Sequence, residues 1–274
     1  QQEVNLLATA KGACRFALPD NVAYRTLDIT NADACKNLFN EFQPDALIHA
    51  AAMTQVDACE DEREMCDLIN ITGVSNLIKA IGNRNIHFVH ISTDFIYEGD
   101  EEEYFEDSKV NPLSYYGTSK WKSEQLFEQV SFPYSILRTV LIYGMLEDFS
   151  RSNIVLWAKA AMEKGEKINV VDDQISNPTW SWSLSEAIYK SIISNLEGLF
   201  HFGGDDVLSR YDFAVKIATM HNLDLDKINR VKSKDFKQKA KRPLNTTLES
   251  EKIKTMINMD HPSIEIVLNT LIDG

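Results

Sequence analysis

Short apolar or β-branched runs at residues 4–9, 46–49, 87–92 and 134–138 alternate with longer segments whose apolar residues recur at helical spacing. Alternation of this kind implies a parallel sheet with helices packed on its faces. Residues 31–42 open on Asn31, a favourable N-cap, and residues 60–81 carry Met65, Leu68, Ile69, Leu77, Ile78 and Ile81 along one stripe. Both segments are expected to be helices lying on the sheet. A third helix is expected to begin near Ser114, because Asn111-Pro112 blocks an earlier helical start. Helical patterns follow at 153–164, 184–195, 210–221 and from Pro262 to about Leu271, with one more strand-like run at 198–202. The chain shows no internal repeat and no low-complexity stretch.

A chain of 274 residues with 44% hydrophobic content can bury one large core, or one large and one small. No run nears the ~18 to 20 uninterrupted apolar residues needed to cross a bilayer, and the N-terminus has no basic segment leading into an apolar one. An intracellular, cytoplasmic location is the expectation. A formal net charge of −13 opposes binding to nucleic acid or an anionic membrane, so an anionic small substrate needs a local basic patch. Cys14, Cys35, Cys59 and Cys66 match neither a small disulfide framework nor a paired Cys-x-x-Cys metal site. They are expected to be reduced thiols, with Cys59 and Cys66 two turns apart on one helix face, and no metal is expected.

The chemistry concentrates in Tyr116-Gly117-Thr118-Ser119-Lys120 and, upstream, in Ser92-Thr93-Asp94. Positions four apart share a helix face, so the Lys120 ammonium is expected to lower the pKa of the Tyr116 phenol and make it a usable acid near neutrality. Ser92-Thr93-Asp94 closes a strand, and the carboxyl ends of strands are where such sheets bind ligands. A phenol, an ammonium and a hydroxyl so arranged can protonate an oxyanion.

A nucleotide-binding sheet of this type opens with a strand, a Gly-rich turn and a helix, since glycine lets the backbone approach a pyrophosphate at the helix N-terminus. The glycines here form neither G-x-G-x-x-G nor G-x-x-G-x-x-G nor a P-loop, and the run at 4–9 reads as the second strand of such a domain. Omitting the central first strand leaves two strand edges facing a gap of unpaired N–H and C=O groups. Roughly 25 to 30 further N-terminal residues are therefore expected in the working protein.

The ordered motifs resemble those of the extended short-chain dehydrogenase/reductases, most closely the dTDP-4-dehydrorhamnose reductase group. They are Leu27-Asp28-Ile29-Thr30, Pro44-Asp45, His49-Ala50-Ala51-Ala52-Met53-Thr54-Gln55-Val56-Asp57, and His90-Ile91-Ser92-Thr93-Asp94-Phe95-Ile96-Tyr97. Asn111-Pro112-Leu113 leading into Tyr116 and Lys120, Val171-Asp172-Asp173-Gln174-Ile175 with Pro178-Thr179, and Arg242-Pro243 with Asn245 complete the set. The resemblance implies an α/β fold with a Rossmann-type doubly wound parallel sheet over residues 1–143. It also implies a smaller substrate domain over 144–274, some segments of which return to the Rossmann core.

By the same resemblance Tyr116 is the proton donor, Lys120 holds the nicotinamide ribose and tunes Tyr116, and Thr93 binds the substrate carbonyl while Asp94 touches the sugar. Asp28 and Ile29 lie against the adenine, and Ala52, Met53 and Thr54 line the path toward the nicotinamide. Thr9-Ala10-Lys11, with Arg15 nearby, stands where an acidic residue usually meets the adenosine ribose; cations there suit a 2′-phosphate and favour NADPH over NADH. The family's Trp after Arg-Thr-Ser is replaced in Arg138-Thr139-Val140-Leu141, which puts the identity of the sugar in question at Leu141.

The implied activity is NADPH-dependent reduction of a 4-keto-6-deoxy sugar on a nucleoside diphosphate, by an enzyme able to form a homodimer. Two alternatives share the motifs: a cofactor-binding regulatory subunit similar to the methionine adenosyltransferase β-subunit, and a nucleotide-sugar epimerase or dehydratase. Basic residues between Lys232 and Arg242 read as a solvated face, with Arg242 the candidate for the diphosphate. Asp100–Glu103 reads as a solvated loop, and His49, His90 and His201 read as core or edge histidines. Trp157, Trp180 and Trp182 read as core, Trp180 also as a candidate wall of the substrate cleft.

Overall fold

The computed structural model describes residues 4–15, 17–144 and 153–273. The strands are β1 (Leu6–Ala10), β2 (Val22–Thr26), β3 (Ala46–His49), β4 (His87–Thr93), β5 (Tyr134–Thr139), β6 (Ile142–Tyr143), β7 (Ile168–Val171), β8 (Ile175–Ser176), β9 (Thr179–Trp180), β10 (Gly198–Phe202), β11 (Leu208–Ser209) and β12 (Ile228–Val231). The helices are α1 (Ala32–Phe42), α2 (Val56–Asp61), α3 (Arg63–Asp67), α4 (Gly73–Ile81), α5 (Tyr115–Gln125), α6 (Ile154–Glu163), α7 (Ser181–Ile193), α8 (Arg210–Met220), α9 (Glu251–Ile257) and α10 (Ile264–Asp273).

A parallel strand buried on both faces must send successive side chains into two different cores. β4 does this at the centre of a four-stranded sheet ordered β10-β5-β4-β3, all parallel. Phe88 packs with Phe39 of α1 and Leu77 and Ile81 of α4, while Val89 packs with Leu184 and Ile188 of α7 and Ile253 of α9. The expected N-cap is in place, with the Asn31 side chain accepting from Ala34 N at 3.0 Å. β10 joins this sheet beside β5, so a late segment of the chain returns to the main core.

β1 and β2 pair with each other but not with β3. Between β1 and β3 lies a cleft of about 770 Å³ with an apolar floor that includes Leu7, Leu27, Phe39, Leu47 and Leu77. Among the described residues both strands turn an unpaired edge toward it. The short pairs β6–β9, β8–β11 and β7–β12 build a second body with α6, α8 and α10. Its interior is made by Ala158, Met162, Ile168 and Ala214, and by Tyr143, Phe213, Val267 and Leu268. Among the described residues no helix is long and apolar enough to cross a membrane.

Several expectations need correction. The segment at 60–81 is not one helix: the backbone breaks at Glu62, with φ −116° and ψ 53°, and makes a π-helical turn at Leu68–Thr72 before α4. Cys59 and Cys66 therefore lie on two helices, α2 and α3, both fully buried. β2, β7 and β12 escaped the sequence reading: Val22–Thr26 and Ile228–Val231 carry polar or charged residues within the run, and Ile168–Val171 is only four residues long with Asn169 inside it. Trp182 is 70% and Trp157 42% exposed, since α7 and α6 bury Leu184, Ala187, Leu156 and Ala158 instead.

A buried ion pair bolts α5 to the sheet. Arg138 Nη2 on β5 meets Glu124 Oε2 on α5 at 2.7 Å, and Arg138 Nε donates to Oε1 at 3.1 Å, with both side chains almost fully buried. The Ser92 hydroxyl also donates to Glu124, and Arg138 Nη1 donates to the Tyr97 phenol at 2.6 Å. Removing one member strands an uncompensated charge, so Glu124→Ala is expected to lower folding stability by about 3 to 5 kcal/mol. Urea unfolding measures this, and a loss below about 1 kcal/mol, the worth of an exposed pair, contradicts it.

Candidate active site

Two local signals meet where β4 ends and α5 begins. The Ser114 hydroxyl accepts from Gly117 N at 3.1 Å and caps α5. At the end of β4 the Thr93 hydroxyl accepts from Phe95 N at 3.2 Å and turns the chain into a short 3-10 turn, Asp94–Ile96. α5 crosses that turn so closely that a Cβ on Gly117 would lie 2.1 Å from the Phe95 carbonyl oxygen. Only glycine fits this contact. The Tyr116 ring packs edge-on to Phe95, centroids 5.9 Å apart, and its phenol lies near the Thr93 side chain. Tyr116 and Thr93 thus converge as the sequence predicts.

Lys120 lies one turn further on, almost fully buried. Its Nζ donates to the Ile91 carbonyl at 2.8 Å and lies 3.3 Å from His90 Nε2. Burial lowers the lysine pKa to about 8, a shift resisted by Glu124. His90 and His49, in contact through Nδ1 atoms 3.1 Å apart, are both pushed below the usual histidine range, chiefly by burial and then by Lys120. Neutral histidines leave Lys120 as the cation of this cluster. All three sequence-predicted histidines, His201 included, are core residues.

The expected effect of Lys120 on Tyr116 does not appear. Burial pushes the phenol pKa up, the nearby Thr93 side chain opposes this, and the Asp94 charge adds to the rise. The ammonium is committed to β4, so the phenol keeps its proton at neutral pH. That is the charge state a proton donor requires.

Asn70, which the sequence analysis did not single out, ties the neighbouring loop to this helix. Its Oδ1 accepts from Met53 N at 2.8 Å, and its Nδ2 donates to Met53 O at 3.1 Å and to Ser119 Oγ at 2.9 Å. The π-helical turn places this amide, and an Asn inside an otherwise apolar stripe was the signal available.

Ala10, Lys11, Asp28, Ile29, Ala52 and Thr54 line the 770 Å³ cleft together, whereas Met53, Arg15, Tyr116 and Lys120 are not part of its wall. Asp28 accepts from Thr30 N at 3.0 Å and Thr30 Oγ1 at 2.7 Å, and pairs with Lys11 at 3.0 Å. Thr30 first and then Lys11 hold its carboxyl below the ordinary range. Arg15 is exposed and makes no ion pair among the described residues.

Arg242 does not stand free for a diphosphate. Its Nη2 and Nη1 grip Asp57 at 2.9 and 3.1 Å, and Nη1 also donates to Ala240 O at 3.0 Å. The chain's own carboxylate satisfies the fork bidentately, so Arg242 clasps the segment around Ala240 onto α2. Leu141 is half-buried at φ +24° and packs against Val140 and the second core, so it offers no broad surface like that of an indole. Trp180 is likewise half-buried against that core. Asp94 is buried, accepting from the Thr93 hydroxyl at 3.0 Å, and burial raises its pKa.

A parallel sheet with a Tyr-Lys-Thr constellation at its carboxyl end defines an oxidoreductase of the extended short-chain dehydrogenase/reductase class on a Rossmann-type fold. Within that class the chain belongs to the RmlD substrate binding domain family, whose model matches residues 2–274. dTDP-4-dehydrorhamnose reductase of Aggregatibacter actinomycetemcomitans is 32% identical over 244 residues, covering 84% of this chain and 81% of the relative. The crystal structure of dTDP-4-dehydrorhamnose reductase from Bacillus anthracis in complex with NADP superposes with a TM-score of 0.86 at 30% identity, over 94% of this chain and 92% of that one. Methionine adenosyltransferase 2 subunit beta of Xenopus tropicalis is 24% identical over 235 residues, 84% of this chain and 70% of the relative.

The buried lysine makes stability depend on pH in a defined direction. Its pKa is about 8 in the fold against an ordinary 10.5, so between those values the unfolded chain binds the extra proton. The penalty for burying the charge is complete below pH 8 and fades as pH rises toward 10.5. Relative to Lys120→Met, the parent is expected to gain about 2 to 3 kcal/mol between pH 7 and pH 10. Urea midpoints of both proteins at the two pH values measure it, and a gap that stays constant or moves the other way contradicts it.

Proposed function

We propose that this chain reduces the keto group of a nucleoside-diphosphate-linked 4-keto-6-deoxy sugar, of the dTDP-4-dehydrorhamnose type, with NADPH as reductant. The observation that carries the reading is the convergence of the Tyr116 phenol and the Thr93 hydroxyl at the carboxyl end of β4. Family membership and the similarity to dTDP-4-dehydrorhamnose reductases support it.

The rim of the cleft between β1 and β3, at the carboxyl ends of those strands, suits the adenosine half of a dinucleotide. Lys11, Asp28, Thr30 and Thr54 give it polar walls, while Ala50, Ala51 and Ala52 let a ligand approach the backbone. Lys11 and the exposed Arg15 favour the extra phosphate of NADPH, although Asp28 offsets part of the Lys11 charge. In this reading Ile29 and Asp28 border the adenine, Ala52, Met53 and Thr54 guide the cofactor toward α5, and Lys120 holds the nicotinamide ribose. When bound, the cofactor supplies the hydride equivalent for the carbonyl carbon.

The chain's own residues supply the rest. Thr93 holds the carbonyl oxygen, and Tyr116 donates its proton to that oxygen as negative charge develops. Burial keeps the phenol protonated until the oxyanion forms, and the Lys120 ammonium adds favourable charge to a water-poor site. Asp94 contacts the sugar, and Leu141 borders it without stacking. A cytoplasmic location and homodimerisation belong to the same proposal, the latter by analogy with helices that flank such sheets.

The missing indole at Leu141 and the relative from Xenopus tropicalis favour one alternative, a cofactor-binding regulatory subunit. A panel of nucleotide-linked keto sugars separates the readings: stoichiometric NADPH oxidation supports the reductase, and none across the panel supports the subunit. An epimerase or dehydratase would convert sugar without net NADPH consumption.

Tyr116→Phe removes only the donated proton. Turnover is expected to fall by about 10² to 10⁴ while NADPH affinity stays within about threefold of the parent. Steady-state kinetics with fluorescence titration of NADPH measures both, and reduction at the parent rate contradicts the assignment.

A further inference from the structure

Lys120 is 3% and His90 0% exposed, so the ammonium must find its hydrogen-bond partners inside the protein. An ammonium has three hydrogens to place. The Ile91 carbonyl takes one at 2.8 Å, and the other partner among the described residues is His90 Nε2 at 3.3 Å. A ring nitrogen accepts only while it is bare.

The far side of the His90 ring decides whether it is. His90 Nδ1 meets His49 Nδ1 at 3.1 Å, with ring centroids 5.2 Å apart and planes 6° from parallel. That separation is close to the nitrogen–nitrogen distance plus two ring radii, so the rings meet edge to edge, aimed along a hydrogen bond. A single hydrogen fits between these nitrogens, because two collide and none leaves lone pairs facing each other.

When His90 holds that hydrogen on Nδ1, its Nε2 is bare and accepts from the ammonium. When His49 holds it, His90 carries its own hydrogen on Nε2, directed at Ser123 Oγ 3.1 Å away and toward the ammonium hydrogens. Ser123 Oγ donates to the Lys120 carbonyl at 2.6 Å and so offers that N–H a lone pair. The first arrangement suits a charged lysine, and the second a neutral amine. His49 Nε2 is unpartnered among the described residues in both, so it does not choose between them. Glu124 on α5, paired with Arg138 of β5, and Cys66 on α3 favour the ammonium in either arrangement, and the Tyr116 phenol one turn away is neutral.

We infer that His90 is a positioning residue for Lys120: its bare Nε2 holds the ammonium charged and aimed, and His49, by accepting from His90 Nδ1, fixes the tautomer that allows it. The inference rests on the reductase reading for the use of the third hydrogen, the hold on the nicotinamide ribose. His49 gives Lys120 no hydrogen bond of its own, yet it governs whether His90 can accept one.

The test follows the Lys120 titration by NMR of protein carrying isotope-labelled lysine, the Lys120→Met spectrum identifying the signal. The parent is expected to titrate near pH 8. His90→Phe keeps an aromatic ring without an acceptor and should lower that midpoint by about 1 to 2 pH units, the worth of one hydrogen bond to a charged group. His90→Gln supplies an acceptor oxygen and should bring it back to within about half a unit of the parent. His49→Phe leaves His90 in place but frees its tautomer, and should lower the midpoint by at least about half a unit. An unchanged midpoint in His90→Phe or in His49→Phe overturns the inference. Should His90→Phe not fold, His49→Phe decides by the same criterion. In turnover the alkaline limb of kcat/KM should shift with the midpoint, and a limb that stays in place overturns the role in the reaction. The titration itself needs no turnover, so parent protein that oxidises no NADPH refutes the reductase reading separately.

Discussion

The crossing of α5 over the turn that ends β4 governs the rest of the site. At Gly117 the helix backbone lies against the Phe95 carbonyl oxygen with no room for a side chain, and this approach sets Tyr116 beside Thr93. The far end of the same helix is anchored by Glu124, which takes hydrogen bonds from Arg138 on β5 and Ser92 on β4. Between the two anchors Lys120 reaches the Ile91 carbonyl. A rigid helix fixed at both ends to adjacent strands holds three functional groups in register without help from a loop.

The electrostatics follow from that burial. A phenol in a poorly solvated site keeps its proton, and a lysine there approaches neutrality near pH 8. In the proposed reaction both would act on the substrate oxygen: Tyr116 has a proton to give, and Lys120 has a charge that gains strength where water is scarce. Asp94, next to Thr93, is buried as well, and burial raises its pKa.

How much was legible depended on how local each signal was. The Ala46–His49 and Gly198–Phe202 strands were read with their boundaries, because each is a short apolar run ended by a change of composition. Ser114 and Pro112 announced the start of α5, and the i, i+4 spacing announced that Tyr116 and Lys120 share a face. Partners remote in sequence were invisible. Nothing in residues 232–242 says that Asp57 will claim Arg242, and nothing near Tyr116 says that Lys120 will turn toward Ile91 instead. The π-helical turn that aims Asn70 at Met53 and Ser119 has no periodic signature. Spacing revealed the helix that carries the candidate proton donor, while the orientation of its charges depended on tertiary contacts.

The most direct test of this account is the turnover of Gly117→Ala, measured beside its NADPH affinity and its unfolding midpoint. A single methyl placed 2.1 Å from the Phe95 carbonyl must push α5 outward and separate the phenol from Thr93. The account predicts a fall in kcat of at least about tenfold in a protein that still folds and binds NADPH. Parent-like kcat in that variant would contradict it, because proton donation would then not depend on the contact that brings Tyr116 and Thr93 together.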